Sequence, residues 1–207
     1  MKLTKVSARL GERLGIGWLT YNPLVFLYYH EHASANAPMV ARTFEEVFPE
    51  AGRFVDAGAG SGAYAAELRR RGHVVVAYEY TRLGRLIARL QGVHSRPFDL
   101  AQPVVFEPAE CDLAYSIEVA EHLPPELGDR LVAFLAASAP TVVFTAAPPG
   151  QGGSGHINEQ ERPYWIERFH NHGMVERQDL RDRVVAGFRA ARSSWLATNV
   201  MVFTRED

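Results

Sequence analysis

The sequence has few of the features that mark secreted, membrane-spanning or nucleic-acid-binding proteins. It contains one cysteine, Cys111, which excludes an internal disulfide and fits a reducing compartment. No apolar run approaches the roughly 20 residues of a membrane-spanning helix, and the charged N-terminus lacks the apolar core of a signal peptide. The formal net charge of −2 does not favour nucleic acid or an anionic membrane as a partner. We therefore expect a cytoplasmic protein.

Strand and helix patterns alternate along most of the 207 residues, a length that suits one sizeable domain. We take residues 1–50 as a helical N-terminal extension and residues 51–207 as the cofactor-binding domain. The extension is predicted to contain helices at residues 3–14, 23–32 and 35–48. Strands are predicted at residues 54–57, 74–78, 94–98, 112–117, 141–146, 174–180 and 196–204. Intervening helices predict an α/β, Rossmann-like, doubly wound sheet that is mostly parallel, with an antiparallel pairing at the C-terminal end.

A glycine-rich turn follows the first predicted strand, in the segment V-D-A-G-A-G-S-G at residues 55–62. Gly58, Gly60 and Gly62 are spaced G-x-G-x-G, and Asp56 stands two residues before the first of them. A strand, a tight turn and a helix start can hold an extended cofactor against the helix N-terminus. A dinucleotide site would have the spacing G-x-G-x-x-G and no acid here, because a carboxylate repels phosphate. The acid instead suits an ammonium group, such as that of a methionine moiety.

Acids also follow the next two predicted strands, at the sheet edge where ligands bind in such folds. We expect the two carboxylate oxygens of Glu79 to accept hydrogen bonds from both hydroxyls of a ribose. Asp99 is placed to accept a hydrogen bond from an exocyclic adenine amine, with Leu100 packed on the ring. The alternatives are an exposed glutamate at a strand end and a turn aspartate.

Charged residues interrupt the apolar run at the end of the fourth predicted strand. Glu118, Glu121 and His122 stand at i, i+3 and i+4, so one helical turn would group them on one side. A substrate would meet the cofactor here, and we expect Glu118 to contact the cofactor as well. The alternative is an acid-rich turn before the next helix.

A long loop rich in glycine and proline follows the fifth predicted strand, at residues 147–160. Loops of this kind are often functional. We predict that His156 in this loop accepts a proton from a bound substrate, and the alternative is a solvated histidine beside a capped helix. Tyr164 and Trp165 are predicted to contact the substrate at an aromatic entrance that suits a flat or hydrophobic molecule, or a cation.

An aromatic stretch before the first strand forms a candidate lid over the cleft. The candidate lid residues are Tyr21, Tyr28, Tyr29, His30 and His32. Of these, Tyr28, Tyr29 and His30 are predicted to contact the substrate. The alternative is a helix that packs on the sheet.

From residue 54 to the C-terminus the chain resembles the class I S-adenosylmethionine-dependent methyltransferases. The segment at residues 55–62 resembles the first motif of that family, and Glu79 and Asp99 resemble its ribose and adenine acids. The run S-I-E-V-A-E-H-L-P at residues 116–124 is similar to the ubiquinone-biosynthesis-like, small-molecule branch. The resemblance implies seven strands with the last antiparallel, S-adenosylmethionine as cofactor and S-adenosylhomocysteine as product.

This resemblance leads us to expect methyl transfer to an oxygen, or else a nitrogen, of a small molecule in secondary or cofactor metabolism. A general base helps when the acceptor is a hydroxyl or an ammonium group. His156 is the first candidate for that base, followed by His122 and Glu118.

Two alternatives stay open from the sequence. Glu118, Glu121, His122 and His156 resemble the metal-binding set of the small-RNA terminal 2′-O-methyltransferases, which implies a metal-assisted RNA methyltransferase. The chain lacks the further histidine-rich stretch of that family and a basic, aromatic RNA surface, so we predict a site without metal. The second alternative is a partner protein that binds the cofactor without catalysis.

Overall fold

A computed structural model describes residues 23–102 and 111–206, and the predicted helix at residues 3–14 and the candidate lid residue Tyr21 lie outside that part. A seven-stranded sheet forms the centre, and its order is β3-β2-β1-β4-β5-β7-β6. The strands are β1 (Arg53–Ala57), β2 (Val74–Glu79), β3 (Arg96–Pro97), β4 (Leu113–Ile117), β5 (Thr141–Thr145), β6 (Met174–Glu176) and β7 (Met201–Arg205). β7 pairs antiparallel with both β5 and β6, and the other pairings are parallel. The predicted fold class is confirmed.

Helices cover both faces of this sheet. They are α1 (Pro23–Val47), α2 (Ala63–Arg70), α3 (Arg82–Leu90), α4 (Pro125–Ser138), α5 (Arg162–His170), α6 (Gln178–Phe188) and α7 (Trp195–Asn199), with a 3-10 turn at Ala120–His122. Side chains alternate along β1, so that Phe54 joins the core beneath α1 and α6, whereas Val55 joins the core beneath α4 and α5. Asp56, the penultimate residue of β1, points to the same face as Phe54.

The N-terminal extension differs from its prediction. Residues 23–47 form one helix where two were expected, and this helix runs through Pro38. Proline removes the hydrogen bond to the carbonyl four residues earlier, and Pro38 and Ser34 are both exposed, so water can solvate that carbonyl. The C-terminal half of α1 buries Val40 and Phe44 in the core.

The C-terminal end also differs from its prediction. Residues predicted as one strand at 196–204 divide into α7 and β7, and α6 begins at Gln178, inside the strand predicted at 174–180. The pattern of a short apolar run is compatible with either a helix or a strand. Here the run begins in a helix, and Leu196 of α7 packs into the core. Within the described ranges no helix combines the length and the apolar character needed to span a membrane.

Candidate functional site

The glycine loop at residues 58–62 joins β1 to α2 in a backbone conformation that favours glycine. Gly58, Gly60 and Gly62 have φ angles of 86°, 53° and 75°. A Cβ on Gly58 would lie 2.5 Å from a methyl of Val119, whereas the space beside Gly60 is open. The backbone N–H of Gly58 donates to Tyr78 O at 2.9 Å, which holds the loop against the end of β2. The loop therefore offers an open backbone surface at Gly60 between two tightly packed glycines.

Asp56 is a buried carboxyl group without a full set of partners. Asp56 lies one residue before the end of β1, and it is 3% exposed. Its Oδ2 has no hydrogen-bond partner among the described residues. Burial raises the pKa of Asp56 from its ordinary 3.8 to about 7; the Tyr115 hydroxyl opposes this rise, and the nearby Glu79 carboxylate adds to it. An ammonium group would supply the missing donor and the missing charge.

Glu79 ends β2 and braces the glycine loop. One carboxylate oxygen accepts from Gly60 N at 2.7 Å, and the other accepts from the Thr81 backbone N–H at 2.7 Å and the Thr81 hydroxyl at 2.6 Å. Gly84 of α3 packs against it, because a Cβ there would lie 2.9 Å from the Glu79 carboxyl carbon. The carboxylate is therefore held beside the open surface at Gly60.

Asp99 and Leu100 lie at the end of β3 and differ in exposure. Asp99 is exposed, and its carboxylate accepts from Ala101 N at 3.0 Å, which makes it a turn aspartate in the structure. Leu100 is buried in the core with Phe98. The Asp99 carboxylate is exposed to solvent and can accept further hydrogen bonds.

Glu118 is the only non-glycine residue with positive φ in the described part of the chain, at 54°. Its backbone N–H donates to Thr145 Oγ1 at 2.9 Å, which fixes the turn after β4 to the end of β5. Its carboxylate accepts from Gln151 Nε2 at 3.1 Å and from Asn199 Nδ2 at 3.0 Å. Sequence reasoning missed Gln151 and Asn199, since neither belongs to a contiguous motif. A non-glycine residue in this conformation is frequently found at a functional site.

His122 and His156 come together although 33 residues separate them. Their ring centroids lie 4.8 Å apart with the ring planes at 87°. His122 Nδ1 lies 3.1 Å from Gly155 O, and His156 Nδ1 lies 2.8 Å from a Glu159 carboxylate oxygen. Both partners only accept, so the Nδ1 of each ring carries a proton, and Nε2 is the other nitrogen of each ring.

Electrostatics keep the ring of His122 neutral. Burial and, to a lesser extent, the nearby His156 lower the pKa of His122 from 6.5 to about 4, and the hydrogen bond to Gly155 O opposes this shift. Glu159 also accepts from the backbone N–H groups of Gly150 and Gly152, at 2.9 and 2.8 Å. Glu159 therefore fixes both the loop and the ring of His156, a role that the sequence reasoning had not assigned.

Glu121 lies beside this pair and is fully buried, at 0% exposed. Neither carboxylate oxygen has a hydrogen-bond partner among the described residues. Burial raises the pKa of Glu121 well above its ordinary value, and the neighbouring Glu118 carboxylate adds to the rise. One candidate ligand atom from each of Glu121, His122 and His156 lies within 4.8 Å of the others, and Glu118 is not part of this group.

The N-terminal half of α1 contacts both loops of the site. His30 Nδ1 lies 3.1 Å from Ser61 Oγ in the glycine loop. The Tyr29 hydroxyl makes a longer contact of 3.5 Å with Ser154 O in the loop that precedes His156. Tyr28 is exposed and packs against His32, with ring centroids 4.4 Å apart.

The predicted aromatic entrance has to be corrected at Trp165. This residue is 0% exposed and packs on Phe144 in the core, with ring centroids 5.2 Å apart, so it does not line the cleft. An aromatic residue after a polar loop gives no sign of which way it faces, and we withdraw it as a substrate contact. The neighbouring Tyr164 stacks with Arg168, whose guanidinium carbon lies 3.2 Å from the centre of the Tyr164 ring.

The geometry fits a ligand with an ammonium group, a ribose and an adenine ring. The carboxylates of Asp56 and Glu79 flank the open backbone at Gly60, and Asp99 lies farther along the same sheet edge. Glu118 is coupled electrostatically to both groups: beyond the effect of burial, it and Asp56 raise the pKa of Tyr64, and it also raises the pKa of Glu121, which lies beside the His122–His156 pair. The residues can therefore bind a methionine-bearing nucleoside on one side and a reacting substrate on the other.

Solved structures of methyltransferases have the same fold as this chain. The sugar N-methyltransferase KedS8 from a Streptoalloteichus species has a TM-score of 0.64 at 14% identity, over 87% of this chain and 92% of that one. The amino pentose methyltransferase CalS10 from Micromonospora echinaspora, solved with S-adenosylmethionine bound, has a TM-score of 0.62 at 15% identity, over 87% and 95%. Such low identities show the fold alone.

A third similar structure is an O-methyltransferase family protein from Burkholderia thailandensis, with a TM-score of 0.59 at 15% identity. The alignment covers 83% of this chain but only 56% of that protein. No curated protein matches the sequence.

A family model described as a methyltransferase domain matches residues 28–182. The match begins inside α1 and includes the glycine loop, the turn after β4 and the loop that carries His156. The chain therefore belongs to this methyltransferase-domain family, and its fold is that of class I S-adenosylmethionine-dependent methyltransferases.

Proposed function

We propose that this enzyme transfers the methyl group of S-adenosylmethionine to an oxygen atom of a small molecule in a biosynthetic pathway. The observation that carries the proposal is that the unpartnered carboxylate of Asp56 and the His122–His156 pair occur in one site, with Glu118 coupled electrostatically to residues on both sides. KedS8 is a sugar N-methyltransferase and CalS10 acts in calicheamicin biosynthesis, which supports a small metabolite as acceptor. The family match does not single out the ubiquinone-biosynthesis-like branch, which stays a prediction from residues 116–124.

On the cofactor side, the proposal assigns each acid to one part of the ligand. Asp56 receives the ammonium group, because its unpartnered buried oxygen needs a cationic donor. Glu79 receives the ribose hydroxyls from its place beside Gly60. Asp99 accepts from the adenine amine, with Leu100 beneath the ring.

On the acceptor side, the chain has to orient the acceptor and take up its proton. The bound cofactor supplies a sulfonium methyl that is already activated, so alignment provides much of the rate enhancement. We assign proton removal to the His122–His156 pair, in which each Nδ1 contacts an acceptor and Nε2 is the nitrogen assigned to take up the proton. Glu118 positions the acceptor next to the cofactor, because Gln151 and Asn199 hold its carboxylate in place.

The proposal also includes a lid formed by the N-terminal half of α1. Its support is the pair of contacts that His30 and Tyr29 make with the two loops of the site. Replacing His30 by Ala and Tyr29 by Phe in one variant should raise KM for the acceptor while the protein stays folded. Unchanged turnover and KM in that folded variant would rule out the lid and leave α1 as a covering helix.

The direct test is an assay with methyl-labelled S-adenosylmethionine and matched pairs of small acceptors that carry either a hydroxyl or an amine. We expect labelled product from hydroxyl-bearing aromatic or sugar compounds and little from their amine counterparts. Transfer to the amines alone would replace oxygen by nitrogen in the proposal. Binding of the cofactor without transfer to any acceptor would favour a non-catalytic partner protein.

A matched pair of variants then tests the histidine assignment. His156→Gln should lower kcat by about 100-fold, the usual range for loss of a proton-transfer group, with little change in the dissociation constant of S-adenosylhomocysteine. His172→Gln replaces an exposed histidine outside the site and should leave both quantities unchanged. Equal kcat in the two variants would remove His156 from the mechanism.

A further inference from the structure

The carboxylate of Glu121 is held in an unusual environment. It is fully buried, and neither oxygen has a hydrogen-bond partner within residues 23–102 and 111–206. Its position is rigid, because the Glu121 carbonyl accepts from the backbone N–H groups of Ile157 and Asn158, at 2.8 and 3.0 Å. Burying an unpartnered carboxylate is unfavourable, and a cation beside it would offset that cost.

The two histidines are oriented in the way that metal ligands are oriented. Imidazole ligands usually donate the N–H of the other ring nitrogen to a carbonyl or carboxylate, which fixes the tautomer and the direction of the ligand atom. His122 has Gly155 O in this position, and His156 has the Glu159 carboxylate. Glu159 is itself tied down by the backbone of the 150–152 loop. The outer partners of a metal site are thus already in place.

The distances and donor types also fit a cation. One ligand atom from each of Glu121, His122 and His156 lies within 4.8 Å of the other two. Metal–ligand bonds of about 2.1 Å place ligand atoms about 3.4 Å apart in a tetrahedral site and at most about 4.2 Å apart across the metal, so the widest pair would have to close by about 0.6 to 1.4 Å. Two imidazoles and one carboxylate suit first-row cations from Mn²⁺ to Zn²⁺, whereas Mg²⁺ prefers oxygen ligands and water.

We propose that Glu121, His122 and His156 bind one divalent first-row transition-metal cation beside the cofactor pocket. This proposal reverses the prediction of a metal-free site. Binding of the cation does not depend on the proposed function. Its role does: under the proposed function, the cation would lower the pKa of the acceptor hydroxyl so that its proton passes to water, because the ring nitrogens of His122 and His156 that bind the cation can no longer take it up.

The competing explanation is a neutral Glu121 carboxyl in a metal-free site, with Glu118 nearby. The two explanations predict different results in a binding experiment. A neutral buried carboxyl needs no cation, and replacing it by an amide would change no binding property. If the Glu121 carboxylate is a metal ligand, it is essential for binding, and the isosteric Glu121→Gln variant would lose the cation.

The experiment uses the full-length, tag-free protein after dialysis against a chelator. Calorimetric titration with Mn²⁺, Co²⁺ or Zn²⁺ should give one site, with Mg²⁺ binding much more weakly, and Co²⁺ should acquire visible absorption from imidazole coordination. Glu121→Gln and His156→Gln should abolish this site. Glu159→Gln, which removes an outer partner, should weaken it by about 10- to 100-fold. Glu126→Gln and His172→Gln, both exposed, should bind like the parent.

Two outcomes would overturn the proposal: no stoichiometric binding of any of the three cations, or binding that Glu121→Gln leaves unchanged. Titration of each variant with S-adenosylhomocysteine provides the folding control, because the cofactor pocket lies outside the exchanged residues. Loss of cation binding with cofactor binding intact identifies a local effect. Cation binding without methyl transfer would refute the proposed function alone, and methyl transfer by a chelated protein without any cation site would refute this inference alone.

Discussion

The proposed cofactor side of the cleft is built mainly from one contiguous stretch of chain, whereas the proposed acceptor side is assembled from three distant ones. Asp56 and the three glycines lie within seven residues, and Glu79 braces them from the next strand. The acceptor side joins the turn at Glu118–His122 to the 150–159 loop and to Asn199 at the far end of the chain. Local spacing therefore determines one side, and tertiary packing determines the other.

Replacing Asp56 by Asn tests the cofactor side with the largest expected effect. The variant leaves the ammonium group without a counter-charge, so we expect affinity for S-adenosylhomocysteine to fall about 100-fold or more, equivalent to roughly 3 kcal/mol. The unliganded variant should be as stable as the parent at about pH 8 or more so, because a buried ionised carboxylate is removed. Calorimetry and thermal unfolding measure the two effects. Loss of stability together with affinity would make Asp56 a structural residue.

The glycines sharpen the comparison within the loop. Gly58→Ala adds a methyl 2.5 Å from Val119 at a φ of 86°, and we expect it to destabilise the fold by about 3 kcal/mol. Gly60→Ala meets open space and should cost only about 1 to 2 kcal/mol, from its left-handed conformation. Cofactor affinity should show the opposite order. Gly60→Ala should lose more affinity than Gly58→Ala, because its added methyl occupies the open surface beside residue 60. Denaturant unfolding and calorimetry would separate the two; equal stability losses would contradict the packing difference.

The pH dependence of cofactor binding follows from the raised pKa of Asp56, about 7. The ammonium group requires the ionised carboxylate, so affinity for S-adenosylhomocysteine should rise up to about tenfold per pH unit below pH 7 and level off above it. Stability of the unliganded protein should change in the opposite direction. The folded chain keeps a proton that the unfolded chain has lost between about pH 4 and 7, so the contribution of Asp56 to stability falls as pH rises through that window. A pH-independent affinity in the parent would contradict this account, and Asp56→Asn is the control that should lack the dependence.

Asn199→Ala tests the acceptor side and should have the smallest effect. The variant removes one of the two groups that hold the Glu118 carboxylate, so we expect kcat to fall by about tenfold or less with little change in cofactor affinity. Thr198→Ala, on the exposed part of the same short helix, is the matched control. Steady-state kinetics with both variants would decide, and a large loss of cofactor affinity in Asn199→Ala would place Glu118 on the cofactor side instead.

The sequence predicted the fold and the cofactor loop because both depend on local patterns. The strand–helix alternation and the glycine spacing can each be read from consecutive residues, whereas the order of the strands in the sheet became known only from the structure. The positions of Gln151, Glu159 and Asn199 depend on how loops close over the sheet, which no spacing records. Trp165 was misplaced for the same reason, since only packing against Phe144 decides which way it faces.

One measurement tests the central claim, that Asp56 binds the amino group of the cofactor, most directly. It compares the affinities of S-adenosylhomocysteine and methylthioadenosine, which lacks the amino-acid moiety, in the parent and in Asp56→Asn. We predict that the parent prefers S-adenosylhomocysteine by about 100-fold and that the variant loses most of this preference while still binding methylthioadenosine. A variant that keeps the full preference would contradict the claim.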